Sequence, residues 1–205
     1  MKRCRLPLLL AALALPFLSP AARASTIIAP DFDRLVNSAD YIVRARVKSV
    51  VSDWRQNPAN PGERYIGSNV ELEVLEVISG RPPSPLVLDL VGGRVGDKEL
   101  TIDGSPRFSP GEESILFIRG NGRQIVPLVA MKHGHYPVRR DPRTGDNQVT
   151  RSSGKLLYHE QEVALPDAAA STAPARDPKA KPLSASEFAA RIRKTYKGTD
   201  RERLK

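Results

Sequence analysis

The feature that most constrains this chain is the alternation in Tyr41-Ile42-Val43-Arg44-Ala45-Arg46-Val47-Lys48-Ser49-Val50-Val51. Tyr41, Val43, Ala45, Val47 and Val51 share one face at period two, and Arg44, Arg46 and Lys48 share the other. That is the pattern of a half-buried β-strand. It runs for eleven residues, whereas strands usually span about five or six. A ribbon that long twists and bends, and it can serve two sheets at a barrel corner. The expectation is the first strand of a small antiparallel OB-like barrel: a mainly β fold with a short N-terminal helix and a C-terminal amphipathic helix.

The ends of the 205-residue chain set its context. Residues 1–24 read as a signal peptide: basic Met1–Arg5, apolar Leu6–Leu18, and small residues at Ala22 and Ala24 for cleavage. The apolar run falls short of the roughly twenty residues a membrane span needs. Export to the periplasm or medium is therefore expected. Cys4, the one cysteine, would leave with the signal. The mature chain would then hold no disulfide, and its stability would rest on a hydrophobic core.

The formal charge of +9 is unevenly placed. The signal carries four basic residues, and residues 174–205 carry ten basic and four acidic ones. The remainder is close to neutral, so the fold offers no basic surface for nucleic acid.

In chain order, Phe32, Leu35, Val36 and Ala39 form a helical stripe, with Pro30 and Asp31 suited to its first turn. Asp53 to Gly62 reads as a loop, with Trp54 at its edge as a barrel cap or a binding anchor. Strand two covers Tyr65–Ile78, with a bulge expected near Val74-Leu75 where the apolar phase flips. Leu86, Leu88 and Leu90 begin strand three. Gly92-Gly93 suits a bend or a close backbone approach, and lacks the remainder of a phosphate loop. Ser114–Arg119 is a central strand, and Gln124–Val129 is expected to return beside it as a strand with Pro127 at an edge or bulge. Residues 136–139 and 148–151 are the arms of a further hairpin.

The barrel domain is placed at 25–164, an Ala/Pro-rich linker at 165–182, a helix at 183–197 and a basic tail at 198–205. Ser184 and Glu187 form a capping box, with Leu183 and Phe188 as its staple. Phe188, Ile192 and Tyr196 line one face of that helix, which is too short to stand alone and must dock on the barrel or on a partner.

These motifs resemble an exported bacterial family of unknown function. The resemblance rests on Leu35-Val36 through Val47, Glu73–Gly80, Gly92-Gly93, Phe108–Glu113 and Gly134–Val138 with Asp141 and Thr144-Gly145. It covers about residues 31–158. In that family the domain sometimes precedes a matrixin-type zinc peptidase. More distantly, the element order is similar to netrin-type domains and tissue inhibitors of metalloproteinases. Their inhibitory N-terminal cysteine has no counterpart in the expected mature chain.

The candidate chemistry is sparse. His133 and His135, on one strand, would place both rings on one face, with His159, Glu160 or Glu162 as a third metal ligand. Sequences of the resembled family tend to carry Gln at the position of His133. His159–Val163 lacks the second histidine of the zinc-peptidase motif. Glu112 and Glu113 are neighbours in a turn and point apart, and no nucleophile–base order stands out. Three functions remain open. The first, and the expected one, is a non-catalytic exported module without cofactor, binding a protein or envelope partner through Trp54, Phe188, Ile192 and Tyr196. The second is an inhibitor or chaperone of a secreted metallopeptidase. The third is a metal-binding protein using His133 and His135.

Overall fold

The computed structural model describes residues 28–165 and 180–198. The expected signal peptide, most of the linker and residues 199–205 of the tail lie outside them. Asp31 caps helix α1 (Phe32–Asn37), its carboxylate accepting from the Arg34 N–H at 2.7 Å. Leu35, Val36 and Ala39 are fully buried, as the stripe requires.

The protein is mainly β. Six antiparallel strands follow: β1 (Tyr41–Gln56), β2 (Arg64–Gly80), β3 (Leu86–Val91), β6 (Glu113–Ile118), β7 (His135–Arg140) and β8 (Asn147–Val149). Their order in the sheet is β3-β2-β1-β6-β7-β8. A separate hairpin, β4 (Gly93–Val95) and β5 (Lys98–Leu100), sits between β3 and β6 in the chain. The sequence carries no strand pattern for it, because three-residue strands with polar tips hold no alternation to read.

β1 has both faces covered in its first half. Tyr41, Val43, Ala45 and Val47 enter one cluster with Val70, Leu72, Leu86, Leu88, Leu116 and Ile118. Ile42 points the other way, into a second cluster with Leu35, Ile115, Phe117, Tyr136 and Phe188. On that second face Arg44 reaches Glu113 at 2.6 Å, Arg46 lies between Glu73 (3.3 Å) and Glu113 (3.5 Å), and Lys48 pairs with Glu71. Opposite charges across paired strands fix register.

Two of the three register shifts in the β1–β2 ladder explain departures from strict alternation. Val47 pairs with Leu72 and Ser49 with Glu71, so Lys48 is an extra residue. After that bulge Val50 turns inward, and Val51, expected on the inner face, is 60% exposed. On β2, Ala45 faces Val74 and Arg44 faces Glu76, which leaves Leu75 as the expected bulge. β1 and β2 also run beyond their expected ends. Trp54 pairs with Ile66 inside β1, so the loop shrinks to residues 57–63.

Gln124–Val129 does not form a strand. It makes one isolated bridge, Leu128 to Ile118, flanked by Arg119 N–H to the Pro127 carbonyl (3.1 Å) and Val129 N–H to the Phe117 carbonyl (2.9 Å). Pro127 has no N–H to give a ladder. The segment instead bridges the inner cluster to β3. Val91 N–H donates to the Ile125 carbonyl (2.8 Å), Asp89 N–H to Asn121 Oδ1 (3.0 Å), and Asn121 Nδ2 to the Val87 carbonyl (2.7 Å). The sheet thus curls until its fourth strand's exit loop meets β3. Among the described residues no strand ladder closes a barrel, because β3 and β8 are the two ends of the order.

Helix α2 (Ala185–Thr195) carries the expected capping box: the Ser184 side chain accepts from Glu187 N–H, and the Glu187 carboxylate accepts from Ser184 N–H. Its apolar face lies on the outer side of the curl. Phe188 and Ile192 are fully buried, and Phe188 sits 5.2 Å from the Tyr136 ring and 5.8 Å from that of Phe32, between centroids. Among the described residues no helix is long and apolar enough to cross a membrane.

A cleft at the open end of the curl

The inner face of β1 and β2 continues past Val50 and Val70 to Ser52 and Ser68, which pair across the ladder. Here the curl ends in a cleft of about 380 Å3. Val50, Val70, Leu90, Ile102 and Phe108 line it with apolar surface, and residues 92–94, 99–102 and 105–109 cover it. The cover can approach because Gly93 has no side chain. A Cβ there would lie 2.4 Å from Ser52 Oγ and 2.2 Å from Ser68 Oγ, at a φ of +136° that favours glycine.

The two serines are satisfied internally. Ser68 Oγ donates to the Gly92 carbonyl at 2.6 Å, so the 2.8 Å contact between the hydroxyls takes its proton from Ser52. The charged groups are outermost. Arg94 pairs with Glu99, and the hydrogen bond from Arg94 holds the Glu99 carboxyl below the usual carboxylate range, with Arg107 adding to the effect. Arg107 is exposed and lines the same mouth.

A second polar group lies behind Phe108, whose ring is 5.0 Å from that of His135. His135 is 3% exposed. Its Nε2 is 2.9 Å from Ser114 Oγ and 3.5 Å from Glu112 Oε1, and its Nδ1 is 3.3 Å from Ser152 Oγ. Burial lowers the imidazole pKa to about 4, so the ring is neutral near pH 7. Burial raises that of Glu112, against the Ser109 N–H bond and the field of Arg139, which lower it.

Serine, histidine and glutamate meet here in an order that does not suit nucleophilic catalysis. In such a device one ring nitrogen takes the serine proton while the other is held by the acid. Here serine and glutamate share Nε2, and Ser114 is 1% exposed. The adjoining cavity of about 10 Å3 holds at most one water. The group fastens the 109–114 turn to β7.

The histidine pair expected on one strand is split. His133 lies in a 3-10 turn at Met131–Gly134, entered through left-handed residues Ala130 (φ 48°) and Met131 (φ 55°); only His135 is in β7. His159 is half-exposed and pairs with Glu160 at 3.4 Å, while Glu162 accepts from Tyr158 N–H. Among the described residues no three His, Cys, Asp or Glu side chains gather as a metal site. Glu112 and Glu113 do point apart, to His135 and to Arg44.

Of the four residues read as partner-binding, Phe188, Ile192 and Tyr196 lie together along α2 and its C-cap, and Trp54 lies apart on β1. Phe188 and Ile192 are spent on the chain's own core, and Tyr196 packs partly buried against it. Trp54 is 40% exposed, with the Arg64 guanidinium 5.4 Å from its ring centroid. The cleft residues escaped the sequence reading. Gly92-Gly93 was the one signal, and the serines carried none. No family model and no curated protein sequence matches the chain.

Proposed function

We propose that this chain is an exported, non-catalytic binding module, and that the cleft under β4–β5 is the seat for its partner. One observation carries the reading. The inner face of a curled sheet, elsewhere filled with side chains, ends in a half-apolar opening of about 380 Å3 whose cover meets the sheet at Gly93. Pockets that hold ligands are concave and mostly apolar, with a few placed polar groups. The lining holds no histidine or cysteine and one carboxylate, already paired to Arg94. That composition favours holding a partner over transforming it.

The leader-like first 24 residues and the resemblance to exported bacterial domains support the export part. The curl of β3-β2-β1-β6 around one cluster, with the 121–129 segment reaching β3, supports reading the architecture as a partly open OB-like barrel.

The test is site-specific photocrosslinking in extracts of the native host. A benzophenone amino acid replaces Thr101, exposed at the mouth of the cleft, or Asp146 in the distal β7–β8 turn. The reading expects a discrete crosslinked species from position 101 and none from 146. Identical patterns from both positions, or none from either, would remove the cleft from the account.

A further inference from the structure

We infer that the cleft takes an amphiphilic carboxylic acid: an apolar chain whose carboxylate sits at Arg107. The inference rests on the cleft being a binding seat and adds the chemistry of what it seats.

The walls then choose between an alkyl chain and a peptide. The strands that line the cleft are paired with one another. Val50 pairs with Val70, Ser52 with Ser68, Ser68 with Leu90, and Gly93 with Leu100. Gly92 N–H donates to the Ile66 carbonyl and Val91 N–H to that of Ile125. A peptide seated there would bury amides against strands already paired, each unmade bond costing about 1–3 kcal/mol. An alkyl chain asks for no partner. The serine pair does not resist it, since both hydroxyl protons are committed to Ser68 and Gly92.

The mouth selects the head group. Arg94 is offset by Glu99, so Arg107 leaves one net positive charge among the charged residues of the lining. A carboxylate completes that balance, whereas a cationic head would meet uncompensated repulsion.

The test is isothermal titration of the full chain with sodium decanoate and with 1-decanol as the uncharged control. Saturable decanoate binding is expected. Arg107→Glu should weaken it by about fivefold or more, as for loss of a partly exposed charge contact and its reversal, and change decanol binding less than twofold. Ile102→Trp fills the cleft and should abolish both. If that variant melts early, Ser105→Trp on the same cover replaces it. The inference is overturned if wild type shows no saturable decanoate binding, if Arg107→Glu binds it equally, or if binding survives a filled cleft. It also falls if an apolar hexapeptide binds more tightly than decanoate. A crosslink at position 101 without decanoate binding would retain the cleft and discard the carboxylate.

Discussion

Acidification should cost this fold stability through His135, and the size of the loss follows from where the ring sits. The imidazole is buried, neutral and held on both nitrogens by serine hydroxyls. Its pKa falls from 6.5 to about 4 on folding. A group whose folded pKa is depressed gives stability that is whole above the unfolded value and lost as pH falls toward the folded one. At about 1.4 kcal/mol per pH unit, the loss is about 2 kcal/mol by pH 5 and about 3 kcal/mol by pH 4. Glu112 works the other way. Its raised pKa means that the folded state takes up a proton earlier than the unfolded chain, which offsets part of the loss. The measurement is urea unfolding at pH 7.5 and pH 5.0 for wild type and His135→Gln. Wild type should lose about 2 kcal/mol more than the variant between the two conditions. Parallel losses in both proteins would refute the placement of a neutral, desolvated ring at this position.

Further outcomes are expected from the packing. Phe188→Ala should cost about 3–5 kcal/mol in urea unfolding, because the ring is wholly buried against Phe32, Phe117 and Tyr136; an unchanged midpoint would mean that α2 is not docked on the sheet. Ser184→Ala removes the capping box and should cost about 1 kcal/mol, with helix loss visible by circular dichroism near the same midpoint. Gly93→Ala forces a methyl into Ser52 and Ser68 at a left-handed φ and should cost about 2 kcal/mol or more; a smaller effect would show that the cover can lift. Arg46→Ala should cost under about 1 kcal/mol, since its pair with Glu73 is solvent-exposed.

Period two located β1, β2 and β3 because one face of each meets the inner cluster, and burial on one face is what alternation records; β6 was legible instead as an almost wholly apolar run, and both its faces are buried. The same signal could not announce that Ile42 is also buried. That required α1 and α2 to cover the opposite face, a fact of tertiary packing. The bulge at Leu75 was legible because it shifts the apolar phase of β2, whereas the bulge at Lys48 was hidden because Val50 and Val51 fit either phase. Helix α2 was legible at its N-terminus, where Ser184 and Glu187 act on backbone groups three residues away. Which surface it docks on was not legible, since an apolar stripe fits the chain's own sheet and a foreign one equally. Gln124–Val129 has strand composition but closes the curl by single hydrogen bonds. The cleft was hidden for a related reason. Ser52 and Ser68 lie sixteen residues apart in the sequence, look like solvent-facing serines, and meet only through the register of two long strands.

Hydrogen exchange on the full chain tests the cleft's role as a binding seat most directly. The chain is isolated from its own host under native conditions and compared with the same chain unfolded, stripped and refolded. Slower exchange in the native isolate, confined to residues 93–109 and the facing parts of β1 and β2, is the predicted result. Identical exchange in the two samples, or protection centred on β7 and β8, would contradict it.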